Sequence, residues 1–185
     1  MLHLRSLALT FLTALVISVA LAPQPAAAGL LFTFTSDHCS NPGCGTAPFG
    51  TVKLEQHIDP ITLVLDPDSV DVTVKLNFGD KFVSTGGPHQ TFAFNIVNDP
   101  GIVISNLTTN FKVEGTTDGT TDKDVSGSGY FPYRIDWLLG TGIHGSPGPL
   151  TFTVTEPGHT LNPNDFIAAL DKQSCVAGVC KPTGA

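Results

Sequence analysis

From Val70 to Phe78 apolar and polar side chains alternate without a break: Val70, Val72, Val74, Leu76 and Phe78 against Asp71, Thr73, Lys75 and Asn77. A period of two puts the two sets on opposite faces of an extended strand. A helix, with its period of 3.6, cannot segregate them. The same alternation recurs at Phe32–Phe34, Val52–Glu55, Phe92–Ile96 and Leu150–Val154. Further strands are expected at Ile102–Ile104, Phe111–Val113 and Tyr130–Trp137. Threonine fills many of the polar positions, as suits an antiparallel sheet with one face in water. Turn formers separate the runs: Asp66-Pro67-Asp68, Asn77-Phe78-Gly79-Asp80, Gly86-Gly87-Pro88, Asn98-Asp99-Pro100-Gly101, Asp118-Gly119 and Gly145-Ser146-Pro147-Gly148-Pro149. Strands at this spacing without helices between them predict an all-β chain, an antiparallel two-sheet sandwich of the jelly-roll type. One short helix is expected at Asn164–Leu170, capped by Asn164, with a last strand as the alternative for that segment.

The first 28 residues read differently. Arg5 is the only Lys or Arg before Lys53, and an apolar run follows from Leu7 to Leu21. Pro23-Gln24-Pro25 breaks that run, and Ala26-Ala27-Ala28 supplies a small-residue cleavage site. This is the layout of a secretory signal peptide. The run is shorter than the ~20 residues that span a bilayer, so an anchor is the weaker reading. The expected organisation is a signal peptide over 1–28 and one β-sandwich domain over 29–185. A mature chain of that length buries about 70% of its unfolded surface. It contains no second apolar run long enough to span a membrane.

Export makes the four cysteines candidates for disulfides. Cys39 and Cys44 enclose Ser40-Asn41-Pro42-Gly43, and Cys175 and Cys180 enclose Val176-Ala177-Gly178-Val179. Three pairings are open. The local one, Cys39–Cys44 with Cys175–Cys180, is the simplest, because Pro42-Gly43 and Gly178 favour turns that bring the ends together. The others bridge the two ends of the mature chain. A four-thiolate zinc site is a further reading of the same residues. The spacing is loose for zinc and export disfavours free thiols, so no metal is expected there.

Charge excludes one class of partner. Nine Lys and Arg against 16 Asp and Glu leave a net charge of -7. Nucleic-acid affinity is driven by neutralising phosphates, which this chain is poorly equipped to do. The 19 Gly and 14 Pro exceed average usage without reaching the level that signals disorder.

Three constellations could carry chemistry. Tyr130, Phe131, Tyr133 and Trp137 form an aromatic cluster. Flat rings stack on the apolar faces of sugars while Tyr hydroxyls and Trp N–H donate hydrogen bonds. Tyr130, Tyr133 and Trp137 are therefore the candidate ligand-binding residues, set against the commoner fate of large aromatics, which is burial. Alternation puts Phe131 and Tyr133 on one face and Tyr130 on the other. Asp66, Asp68 and Asp71, and Asp118, Asp122 and Asp124, could ligate calcium. Neither segment has the EF-hand pattern, and Asp is the natural former of such turns. For catalysis His57, His89, His144 and His159 are available. There is no Gly-x-Ser-x-Gly elbow, no His-x-His and no His-Glu-x-x-His; a Glu/Asp pair could be drawn for glycoside hydrolysis, but sequence alone does not bring two carboxylates to the required spacing. No catalytic residue and no cofactor is expected.

The stretch Leu31-Phe32-Thr33-Phe34-Thr35-Ser36-Asp37-His38-Cys39, then Gly43-Cys44-Gly45 and Pro48-Phe49-Gly50-Thr51-Val52, is distinctive. It is followed in order by Val70–Val74, Lys81-Phe82-Val83-Ser84-Thr85-Gly86, Phe92-Ala93-Phe94-Asn95, Gly127-Ser128-Gly129-Tyr130-Phe131 and Gly148–Val154. Together these resemble a group of bacterial secreted proteins associated with PEP-CTERM sorting, across essentially the whole mature chain. The resemblance implies an exported all-β protein of a Gram-negative bacterium that makes extracellular polysaccharide, and it implies no catalytic residues. This chain departs from the group at Lys181-Pro182-Thr183-Gly184-Ala185, where the Pro-Glu-Pro signal, apolar helix and basic tail are missing. Free secretion is therefore expected over sorted attachment. The leading functional expectation is a non-enzymatic protein of the cell surface or extracellular polysaccharide matrix. The alternative is a carbohydrate-binding module using Tyr130–Trp137.

Overall fold

The computed structural model describes residues 29–34, 47–84, 90–98, 100–115, 123–124, 130–140, 145–168, 173–176 and 179–182. The expected signal peptide, Cys39 and Cys44 lie outside the described residues. Strands β1 (Leu30–Phe34), β2 (Gly50–Ile58) and β3 (Leu65–Leu76) are joined in sequence, followed by β4 (Phe92–Phe94), β5 (Val103–Ser105) and β6 (Phe111–Glu114). Then come β7 (Lys123–Asp124), β8 (Tyr130–Phe131), β9 (Tyr133–Trp137), β10 (Leu150–Thr155), helix α1 (Pro163–Ala168), β11 (Gln173–Val176) and β12 (Val179–Pro182). The fold is all-β, with antiparallel pairing throughout and one short helix. A five-stranded sheet has the order β1-β2-β3-β10-β5, and a three-stranded sheet has the order β4-β9-β6. Two small hairpins, β7-β8 and β11-β12, accompany them. From β3 to β6 successive strands alternate between the two main sheets.

The alternation read from sequence is the alternation that is buried. In β3, Val70, Val72 and Val74 are 2% exposed or less, while Asp71 and Thr73 are half-exposed and Lys75 is open to water. Val72 lies opposite Leu54 of β2 and Phe152 of β10, so three strands present their apolar side chains to the same face. The smaller sheet supplies the other half of the core. Phe94 of β4 stacks on Tyr133 of β9 at 5.3 Å, on Phe152 of β10 at 5.6 Å and on Phe166 of α1 at 5.8 Å. One ring thus ties both sheets and the helix together. Each fully buried aliphatic or aromatic side chain of this kind contributes about 1.5–3 kcal/mol.

The helix starts earlier than expected. Asn162, not Asn164, is the cap: its Oδ1 accepts from the Asn164 N–H at 3.0 Å, and Asp165 Oδ2 accepts from the Asn162 N–H at 2.8 Å. This reciprocal box, with Pro163 in the first helical position, satisfies two backbone donors. Two other expectations are corrected. The long alternating run ends at Leu76, and Phe78 is fully exposed in a turn closed by the Asp80 N–H on Asn77 O. The segment Tyr130–Trp137 is two strands rather than one. Buried Pro132, which lacks a ladder donor, stands between β8, paired with β7, and β9, at the centre of the smaller sheet.

Candidate functional site: an apolar cleft between the sheets

The two main sheets are unequal in width, and this leaves a gap. Phe92 and Phe94 of edge strand β4 pack on Phe152 of β10. The inner faces of β1 and β2 lie beyond that edge, where among the described residues no further strand of the smaller sheet covers them. Phe166 of α1 and Phe131 of β8 close part of the space. The result is a cavity of about 330 Å³ lined by six phenylalanines (Phe32, Phe34, Phe92, Phe94, Phe131 and Phe166) together with Val52, Leu54 and Val72. A second compartment of about 420 Å³ adjoins it, sharing Phe34, Phe92, Ala93 and Phe131 as walls. It runs towards Leu76, Lys81 and Phe82 at the far end of β3.

Alternation explains how these rings reach the cleft. Phe32 and Phe34 fall on the inward positions of β1, opposite Val52 and Gly50, while Leu31 and Thr33 face water. Gly50 is required there, since a Cβ would lie 2.3 Å from the Lys75 carbonyl oxygen. Phe32 and Phe34 pack against the core yet remain only half-buried, on the edge strand β1. No charged side chain lines the inner compartment; its polar wall is Asn95. In the outer one Thr91 is already committed, accepting from the Trp137 N–H at 2.9 Å and donating to Asp136 at 2.7 Å. Lys81 is exposed at the mouth, and among the described residues it forms no ion pair. Such walls offer an apolar group a dry environment.

Of the aromatic cluster singled out from sequence, Phe131 lines this cleft, while Tyr133 and Trp137 do not. Tyr133 is 0% exposed, and its hydroxyl donates to the Pro100 carbonyl. Trp137 is 7% exposed, its ring 4.9 Å from Phe111. Assigning either to sugar stacking is therefore corrected: both rings have their faces covered by other side chains and belong to the core. The backbone of Tyr130 lies in β8, and its side chain is outside the described residues. Cys175 stands directly opposite Cys180 in the β11-β12 ladder, again described for the backbone alone.

The acidic segment expected as a turn, Asp66-Pro67-Asp68, lies instead at the start of strand β3, and its carboxylates are engaged by nearby bonds. Asp66 accepts from the Asp68 N–H at 3.0 Å and from the Ser69 hydroxyl at 2.8 Å. Asp71 accepts from Thr153 at 2.7 Å and lies 2.9 Å from His57 Nδ1 on the outer face of the larger sheet. Among the described residues no three His, Cys, Asp or Glu side chains group around a metal position. Asp118 and Asp122 lie outside the described residues, and of Asp124 only the backbone is described. Among the described residues no helix is long and apolar enough to cross a membrane.

Sequence reasoning missed the cleft although it placed most of the cleft's rings on inward positions. The available signal was the excess of phenylalanine, 12 residues against one Trp and two Tyr. No family model, curated protein or solved structure matches the chain.

Proposed function

We propose that this chain is an exported, non-enzymatic protein of the bacterial cell surface or extracellular polysaccharide matrix, folded as a jelly-roll sandwich, whose working site is the cleft between its sheets. The cleft receives an apolar group. The observation that carries this reading is the half-buried phenylalanine lining of an open cavity in the size range of ligand sites, about 300–1,000 Å³. Export is supported by the leader-like first 28 residues and by the resemblance to PEP-CTERM-associated proteins. The jelly-roll reading is supported by the alternation of β3 to β6 between sheets and by the order β3-β10-β5 facing β4-β9-β6.

A neutral naphthylamine dye tests the site. Titrated into the dilute, monomeric protein, it should show saturable enhancement and a blue shift, competed by dodecanol. Val52→Phe, which adds a ring to the cleft wall, should abolish the response while far-UV circular dichroism stays unchanged. A linear, non-saturating trace, or full binding by a folded Val52→Phe, would overturn the proposal.

A further inference from the structure

The hairpin joining β2 to β3 projects beyond its neighbours. On one side β1 pairs with β2 only as far as Leu54, and on the other β10 pairs with β3 only from Ser69. The β2-β3 ladder itself ends at Ile58 opposite Leu65. Beyond it every residue from Pro60 to Val64 is exposed, and Thr62 is the one polar side chain among them. Ile61 is 89% exposed, and Leu63, Val64 and Ile58 lie between 45% and 65%. Consecutive side chains point to different sides, so an apolar surface open at each of them faces its surroundings all round.

The backbone of the same turn is closed on itself. The Asp59 N–H donates to the Val64 carbonyl and the Leu63 N–H to the Asp59 carbonyl, both at 2.9 Å. The Ile61 and Thr62 N–H groups donate to Asp59 Oδ1 at 2.8 and 2.7 Å, and Pro60 has no N–H to satisfy. From Asp59 to Leu63, then, each backbone donor has a partner inside the turn. The Thr62 and Ile61 N–H bonds hold the Asp59 carboxyl below its ordinary value, so it stays an acceptor. A turn that remains in water can leave such donors to solvent. One that enters an apolar layer cannot, because no water is there to receive them. Leu63 also sits at φ 56°, a conformation that leucine rarely adopts, and the Asp59 bonds hold it there.

We propose that the β2–β3 tip is a membrane-contact element, which seats Ile61, Leu63 and Val64 at the boundary between headgroups and acyl chains of a zwitterionic lipid layer. Asp59, at the base of the turn opposite Val64, stays at headgroup level. A fluid layer closes round an apolar tip on all sides, whereas a flat partner surface would cover one side only. No Lys or Arg occurs between Lys53 and Lys75, so the tip lacks the cations that draw a protein to anionic lipid. Apolar burial is left as the driving force, and its strength scales with the area inserted. This contact is separate from the cleft and does not depend on it.

Flotation of the exported protein with phosphatidylcholine vesicles is the test. The wild type should float with the vesicles, and adding phosphatidylglycerol should not strengthen binding. Ile61→Asp and Leu63→Asp, both at exposed positions, should each weaken it about tenfold or more. Val52→Phe, which fills the cleft, should bind vesicles as the wild type does. A tryptophan placed at the tip by Thr62→Trp should shift its emission to the blue with vesicles and be quenched by brominated phosphatidylcholine. A wild type that stays with the soluble fraction, or a tip tryptophan that vesicles do not shift, overturns the proposal. Binding kept in Ile61→Asp but lost in a folded Val52→Phe also overturns it, and assigns the lipid to the cleft. Binding that requires phosphatidylglycerol overturns the apolar mechanism. Self-association abolished by Ile61→Asp, in a wild type that ignores vesicles, gives the tip to a protein partner instead.

Discussion

Leu63 shows what a single residue can reveal. A leucine in the left-handed region is disfavoured by ~1–2 kcal/mol, because its Cβ crowds the following carbonyl. Here the side chain is 65% exposed, so little burial within its own chain offsets that strain. Leu63→Gly should therefore stabilise the isolated protein by up to about 1 kcal/mol in urea unfolding, after allowing for the greater freedom of glycine in the unfolded chain. A loss of stability would mean that Leu63 packs in solution against something within the same chain. Gln56 makes the opposite point. Its amide nitrogen lies 2.7–3.0 Å from the carbonyls of Asp66, Ser69 and Leu161, tying the root of the hairpin to the segment before α1. The alternation read from sequence stopped at Glu55 and could not supply these partners, since the third lies 105 residues away.

Strands were largely readable because their determinants are local, whereas the expected turn Asp66-Pro67-Asp68 is part of strand β3. Alternation over Val70–Leu76 and Leu150–Val154 needs no knowledge of neighbours, and both segments are strands buried on the expected face. The failures were at ends and interruptions. Phe78 continued the pattern but fell in a turn, and Pro132 split a run that looked continuous. The β11-β12 hairpin was not foreseen as a pair of strands, yet it bears on the cysteines. Residues directly opposite in an antiparallel pair have Cα atoms ~4.5–5.5 Å apart, within the ~4.4–6.8 Å that a disulfide spans. The register Cys175↔Cys180 therefore favours the local pairing. Peptide mapping of the exported protein under non-reducing conditions should find Cys175 joined to Cys180, and Cys39 to Cys44. A peptide linking Cys39 or Cys44 to the second pair would overturn it.

At the scale of the whole molecule, the unequal widths of the sheets matter most. Among the described residues, five strands against three leave one margin of the core open, and β1 brings its phenylalanines to that margin. Export itself has a direct check. Protein recovered from the medium of its host should begin at Gly29 by N-terminal sequencing. Recovery with residues 1–28 intact in the membrane fraction would overturn the signal-peptide reading.

By itself the sequence determined the all-β class, the inward face of each long strand and the turn over residues 77–80, because these follow from periodicity and turn chemistry within a few residues. Only the tertiary structure decided where the aromatics went. Tyr133 and Trp137 lie on a central strand and are covered from both sides, whereas Phe32 and Phe34 lie on an edge strand and are not. The same inward position means core in one place and cleft in the other. Burial is set by which strand stacks over which, a long-range outcome that no local pattern encodes.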